Sequence, residues 1–460
     1  MGTWEIWSII ASHLGDILSV GLVLAILSGK KEARATLGWV LLVLFLPYVG
    51  ALLYLVFGRL PFPFPERKPA EPPYCPLPPE GLPPAMERSA KLLAQSPVPC
   101  RTLELLPGAA HKYRALERDL AGARRRILMS YYVFRHDRTG RRFLDLLARK
   151  AAEGVEVRLL YDGWGAFGLG LPWVLRPYLR SGLLARPFHP VSDPMQMSRI
   201  NFRNHRKVVV VDGGIAYTGS INIGDEYLGR HPRFGIWKDA HARLEGAAAQ
   251  ALEEVFRADW VLAGGDVFDP SPLPVEPGRE WVQVISSGPN EGEDSVLPLL
   301  FAQFAAARNS IDILTPYLMP DYGLVTALRI AARQGVAVRI LVPGKSNHPL
   351  VAAAGRSYYE ELLEGGVQMF ELTGGMLHAK GVLIDGHWAM VGSTNLDNRS
   401  FRLNFEINLA TSSVAFCTDL GRLFDSWLGG AQPITASALA ARPLSRRLVE
   451  GACRTLSPVL

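Results

Sequence analysis

At 460 residues the chain is long enough for two or three domains around a sizeable core. Its 49 Lys and Arg against 43 Asp and Glu leave a net charge of +6, which suits an anionic partner, nucleic acid or membrane face, without choosing between them. The four cysteines, Cys75, Cys100, Cys417 and Cys453, show no CxxC spacing and no partner histidines, which argues against a zinc site and a disulfide framework.

Two apolar segments come first. Residues 6–27 carry a polar interruption at Ser12, His13 and Asp16, and residues 37–57 hold no charge. The second is long enough for a bilayer core of about 30 Å at ~1.5 Å rise per residue. No Lys or Arg precedes the first run, which disfavours a cleavable signal peptide. The pair predicts a hairpin of two transmembrane helices over residues 1–60, anchored in the cell membrane. Lys30, Lys31 and Arg34 in the loop oppose Arg59, Arg67 and Lys68 beyond it, so the positive-inside rule leaves the orientation open. The run PFPFPERKPAEPPYCPLPPEGLPP can neither continue a helix nor join a central strand, and it opens a linker expected over residues 61–100.

From about Leu103 helical and strand patterns alternate. Residues 112–123 and 139–152 read as helices, 126–134 and 155–161 as strands, with a Gly- and Pro-rich excursion over 163–194. A boundary rich in Gly, Asp and Pro at 264–278 precedes a second series. It reads helix 296–308, strand 310–315, helix 323–333, strand 336–342, helix 358–364 and strand 367–372. GVEVRLL at 154–160 returns as GVAVRIL at 335–341, so an internal duplication is the economical reading. The expected fold class is α/β: two duplicated halves, 101–264 and 265–460, sharing a site on a pseudo-twofold axis.

The stretch HRKVVVVDGGIAYTGSIN organises the first half. Val208 to Val211 reads as a buried strand closed by the turn signal Asp212-Gly213-Gly214. Alternation along a strand points His205 and Lys207 the same way, an imidazole and an ammonium suited to an anionic substrate. The skeleton His205, Lys207, Asp212, Gly219, Ser220 and Asn222 returns at the same spacing as His378, Lys380, Asp385, Gly392, Ser393 and Asn395.

Such a pair of motifs can run phosphodiester chemistry. One neutral imidazole attacks phosphorus and a protonated one supplies the leaving alcohol with its proton. The lysines, with Ser220, Asn222, Ser393 and Asn395 after the hairpin turns, are candidate donors to the nonbridging oxygens. No metal or other cofactor is required, because cationic side chains meet the charge. Each imidazole also needs a carboxylate to fix its tautomer. Asp212 and Asp385 sit at the far ends of their strands, where a turn role fits better than an orienting one. Asp239 in FGIWKDAHARLEG and Glu406 in NFEINLA lie on apolar-flanked strand-like segments and are the better candidates.

HRKVVVVD…GSIN and HAKGVLID…GSTN resemble the paired HxKx4Dx6GSxN motifs of the phospholipase D superfamily. Within it the chain is similar to the bacterial cardiolipin synthases over nearly its full length, through LGWVLLVLFLPYVGALLYLVFGR, AYTGSINIGDEY, IWKDAHARLEG, TPYLMPD, GSTNLDNRSFRLNFE and RPLSRRLVEGACRTLSPVL. The resemblance implies transesterification of two phosphatidylglycerols to cardiolipin and glycerol through a phosphohistidine, with phosphatidylglycerol as donor and acceptor. It places His205, Lys207, Asp212, His378, Lys380 and Asp385 in the catalytic motifs, Asn222 and Asn395 on the phosphate, and Asp239 and Glu406 on the histidines. The nucleophilic histidine, the acceptor lipid, the membrane side and the oligomeric state stay open. A hydrolase, or a transferase to another alcohol, is the alternative; a superfamily nuclease is disfavoured by the apolar N-terminus, so no nucleic-acid partner is expected. A synthase must let a lipid alcohol reach the intermediate before water. Residues 167–190 mix Trp173, Tyr178 and Phe188 with Arg176 and Arg180, which suits either an anionic membrane interface or a helix packed on the sheet with its arginines in water.

Overall fold

The computed structural model describes residues 3–29, 33–54, 58, 81–93, 95–190, 199, 201–272, 278–291, 296–455 and 457. The chain forms two units, Met1–Pro65 with Val191–Asn201, and Glu66–Pro190 with Phe202–Leu460.

In the first unit the helix Thr3–Ser28 is followed by Ala33–Phe45 and Pro47–Leu53. The second apolar run is therefore divided. Pro47 lacks an N–H and its ring clashes with the preceding turn, so the chain breaks at Leu46 and restarts with Pro47 in the first helical turn. Ser19 Oγ donates to Val43 O at 3.2 Å, and the Trp39 and Tyr54 rings meet edge to face. Leu14, Ile17, Val20, Leu24, Leu27, Leu37, Leu41 and Leu44 are exposed. Among the described residues no helix is long and apolar enough to cross a membrane.

The second unit holds two sheets built alike. The first has seven strands in the order Thr102–Pro107, Ala240–Glu245, Ile215–Gly219, Val208–Val211, Arg126–Tyr131, Glu156–Asp162 and Leu184–Phe188. The second, of nine strands, repeats that order as Glu280–Ser287, Glu406–Thr411, Trp388–Gly392, Gly381–Ile384, Ser310–Leu314, Ala337–Pro343 and Gln368–Leu372. In each, the last three strands run parallel and the others antiparallel. The central strands are buried on both faces because helices cover the sheets, which is why Val208–Val211 reads as an unbroken apolar run.

Two short strands extend the second sheet: Val98–Cys100 beside Glu280–Ser287, and Ala431–Pro433 beside Gln368–Leu372. The first corrects the expected linker over 61–100. Residues 61–80 lie outside the described residues, as do Cys75 and the loop and flanking charges at 30, 31, 59, 67 and 68. The described part, however, is ordered into the second half. The helix Pro84–Leu92 packs on Val296–Ala306, where Gln303 Nε2 donates to Ala85 O at 2.8 Å and Ser89 Oγ at 2.9 Å. From Thr102 the chain enters the first sheet. The excursion at 163–194 likewise holds a helix, Pro172–Leu179, and the edge strand Leu184–Phe188.

Candidate active site

The two motifs meet. His205 N donates to Phe405 O at 2.9 Å and Phe405 N to Arg203 O at 2.9 Å, so the backbone beside His205 is laced to the residue preceding Glu406. Its counterpart is the pairing of Met376–Leu377 with Trp237–Lys238, with His378 N donating to Lys238 O at 2.8 Å, the residue preceding Asp239.

The consequence is an exchange of carboxylates. His205 Nδ1 lies 3.0 and 2.9 Å from the two oxygens of Glu406, and His378 Nδ1 lies 2.8 Å from Asp239 Oδ2. Each half thus orients the histidine of the other, and neither half carries a complete site. A carboxylate at Nδ1 takes the N–H there and turns the Nε2 lone pair outward. His205 and His378 keep an edge exposed, 9% and 6%, while Glu406 and Asp239 are fully buried. The motif glycines make the carboxylate approach possible: a Cβ at Gly219 or Gly392 would overlap His241 or Asn408, on the very strands that carry or follow the acids.

Burial comes first in the electrostatics. It pushes both imidazoles down to about 4, assisted by the lysines and opposed by the carboxylates. Burial also drives Lys207 well below its ordinary value and Lys380 to about 8. Burial alone would raise the Asp239 and Glu406 carboxyls, but the facing imidazoles and lysines reverse this and hold both below the usual range. At neutral pH the resting site has ionised carboxylates and neutral imidazoles.

The two imidazoles are not equivalent. Lys380 Nζ sits 3.1 Å from His378 Nε2 and donates to His378 O at 2.7 Å. Lys207 Nζ donates to His205 O at 2.5 Å. Among the described residues His205 Nε2 has no hydrogen-bond partner. Tyr132 lies edge-on to His205 at 5.0 Å, while Trp237 and Tyr227 flank His378 at 5.1 and 5.9 Å.

The remaining motif residues divide. Asp212 and Asp385, placed with the catalytic motifs above, lie away from the histidines at turns with φ of 52°. Asp212 accepts from the amides of Arg124, Arg125 and Arg126 at 2.8–2.9 Å. Asp385 does the same for Arg308, Asn309 and Ser310 at 2.6–2.9 Å. Each locks the start of a neighbouring strand and tolerates the left-handed backbone, as Asp does. Asp212→Ala should therefore lower stability by about 1–2 kcal/mol in a denaturant titration and leave kcat nearly unchanged.

Ser220 and Ser393, expected on the phosphate, are turned instead to the acids. Ser220 Oγ bonds Asp239 and lies 2.8 Å from Ala240 O; Ser393 Oγ bonds Glu406 and accepts from Ile407 N at 2.9 Å. A hydroxyl has one proton to give, and here it goes to the carboxylate. Asn222 accepts from Val133 N at 3.1 Å and donates to Tyr227 Oη at 2.8 Å, leaving one amide hydrogen over among the described residues. Asn395 faces Ser400 Oγ at 3.4 Å.

Arg206, between His205 and Lys207, carries no signal in the sequence. It is buried and joins the halves, reaching Asp259 at 2.6 Å, Glu291 at 2.7 Å, Ser287 O at 2.9 Å and Glu406 O at 3.0 Å. The second motif has Ala379 there, so nothing in the repeat marks it. Asp162 is likewise unmarked; its buried carboxylate accepts from Asn204 N at 2.9 Å, one residue before His205.

A family model described as the PLD-like domain of cardiolipin synthase matches residues 116–260 and 300–428, and a phospholipase D-nuclease N-terminal model matches residues 17–59. A cardiolipin synthase of Geobacillus thermodenitrificans (strain NG80-2) is 35% identical over 94% of this chain and 90% of its own length. Cardiolipin synthase 2 of Bacillus cereus is 40% identical over 76% of this chain and 68% of its own. Among solved structures, phosphatidylserine synthase of Haemophilus influenzae Rd KW20 shares the fold, with a TM-score of 0.61 and 16% identity over 82% of this chain and all of that one. The chain belongs to the cardiolipin synthase family, with the duplicated α/β architecture of phospholipase D-like proteins.

Proposed function

We propose that the chain transfers a phosphatidyl group from one phosphatidylglycerol to another, giving cardiolipin and free glycerol, with His205 as nucleophile and His378 as acid and then base. The unlike Nε2 atoms carry this reading: His205 presents a bare lone pair, and His378 faces the Lys380 ammonium at 3.1 Å. His205 Nε2 attacks phosphorus, and the phosphorus–oxygen bond to glycerol breaks. The leaving oxygen takes its proton from His378, which the adjoining Lys380 ammonium keeps supplied. Glu406 stabilises the charge that develops on the His205 ring. In the return step the glycerol hydroxyl of a second phosphatidylglycerol gives its proton to His378 and attacks phosphorus, and the nitrogen–phosphorus bond breaks. Lys207, Lys380, Asn222 and Asn395 hold the nonbridging oxygens throughout.

On this reading the helices of the N-terminal unit anchor the chain at the cell membrane, supported by their outward row of Leu, Ile and Val. Tethering confines the enzyme to the plane where both lipids are concentrated. Incubating purified protein with phosphatidylglycerol alone tests the reaction: cardiolipin and glycerol in equal amounts are expected, and phosphatidic acid without cardiolipin would make it a hydrolase.

The shifted proton affinities of the buried groups set a pH window. The imidazoles are lowered to about 4 and Lys380 to about 8, so kcat/KM should fall as pH drops through about 4, where the nucleophile gains a proton. It should fall again as pH rises through about 8, where Lys380 loses its own. An acid limb near the ordinary imidazole value would contradict the buried site.

A further inference from the structure

We propose that the face made by residues 162–184 and the adjoining helix Arg138–Ala152 lies on an anionic phospholipid bilayer and holds the active-site mouth against it; this rests on the phospholipid-transferring reading above. Trp164, Phe167 and Trp173 are 61%, 56% and 71% exposed, three large rings left in water within one short stretch. Scattered exposed apolar residues need no explanation, but three large exposed rings on one short stretch of chain do. The fold itself does not require it. The matching stretch of the second half, between Ala337–Pro343 and Gln368–Leu372, exposes only Leu350 as a large hydrophobic among the described residues.

Charge selects the occupant. Arg176 and Arg180 are exposed on and just after the helix Pro172–Leu179, which packs on Arg138–Ala152. That second helix turns Arg138, Arg141 and Arg149 outward around a single exposed acid, Asp145, which lies within reach of Tyr178. Its opposite face, with Phe143, Leu144 and Leu147, is fully buried, so the arginine side is the one left for a partner. Tryptophan and phenylalanine beside arginines match the headgroup layer of an anionic bilayer, where rings enter the acyl boundary and guanidinium groups meet phosphates.

The face is also coupled to the chemistry. Asp162 accepts from Trp164 N and Gly165 N at 2.9 Å with one oxygen, and from Asn204 N at 2.9 Å with the other. One buried carboxylate thus ties the base of the aromatic loop to the residue before His205. Gly165 presses on Tyr132, where a Cβ would overlap the ring and carbonyl, and Tyr132 lies against His205. A bilayer touching Trp164 is held in register with the nucleophile.

The test compares two substrates with the full chain reconstituted in vesicles or held in detergent. The Trp164→Ser/Phe167→Ser/Trp173→Ser variant should lose about ten-fold or more in turnover of phosphatidylglycerol vesicles. Its kcat/KM on dihexanoyl phosphatidylglycerol, dispersed as monomers, should match the unaltered protein. A second variant, Arg141→Glu/Arg149→Glu, should show the same split, and high salt should bring the unaltered protein down toward it on vesicles. Equal losses of the two variants on both substrates, or unchanged vesicle turnover, would overturn the proposal. So would unchanged vesicle turnover together with loss of a self-association or protein complex, which would assign the face to that partner. Unaltered protein inert on both substrates would instead overturn the transfer reaction itself, and the proposal with it.

Discussion

His205→Ala is expected to lower cardiolipin formation by at least about ten-thousand-fold, and His378→Ala by a similar factor, because nucleophile and acid act as a unit and losing either stops the cycle. The two variants should part on an activated donor. A phosphatidyl ester of p-nitrophenol needs no proton on its leaving group, so His378→Ala should release one equivalent of nitrophenol in a burst and then stall. His205→Ala should release none. This separation follows from the site geometry, where only the His378 ring faces a lysine ammonium through Nε2. A burst in His205→Ala with none in His378→Ala would exchange the two roles.

The exchange of carboxylates gives the second large effect. Glu406→Gln and Asp239→Asn should each lower kcat by about 10²–10⁴-fold, since a carboxamide leaves the imidazole free to take the wrong tautomer. The assignment runs across the halves. Glu406 lies 2.9 Å from His205 and Asp239 2.8 Å from His378. Glu406→Gln should therefore suppress the nitrophenol burst, while Asp239→Asn should leave it largely intact and slow only the return step. Should Asp239→Asn abolish the burst and Glu406→Gln spare it, each acid would be serving the histidine of its own half, against the geometry.

Much of the fold and the site is legible in the amino-acid sequence, and the reasons are local. A β-branched run closed by Asp-Gly-Gly leaves few alternatives to a strand and hairpin, and its return at fixed spacing exposes the duplication. Asp212 and Asp385 are readable as turn residues because they stand at the wrong end of their strands. Asp239 and Glu406 are readable because an acid flanked by apolar residues demands a buried partner.

Other features depend on contacts between distant segments. Which acid meets which histidine is set by the pairing of Met376–Leu377 with Trp237–Lys238 and of Asn204 with Phe405, backbone contacts that leave no periodic trace. Ser220 and Ser393 follow the motif turns as phosphate donors would, yet the sheet sets each beside a buried acid. Val98–Cys100 is three residues long and takes its strand form from the edge of the second half's sheet. Arg206 looks like a spacer until two sheets and Asp259 close around it. The break at Pro47 is available in the sequence, inside a run whose hydropathy alone suggests one uninterrupted helix.

The mechanism rests on a covalent bond to one of two similar histidines. Rapid acid-free quenching of His378→Ala with the nitrophenyl donor, followed by peptide mapping, tests that bond most directly. The predicted result is a phosphatidyl group on the peptide containing His205 at close to one equivalent per chain. No adduct, despite release of nitrophenol, would contradict it and leave direct attack by the acceptor in its place.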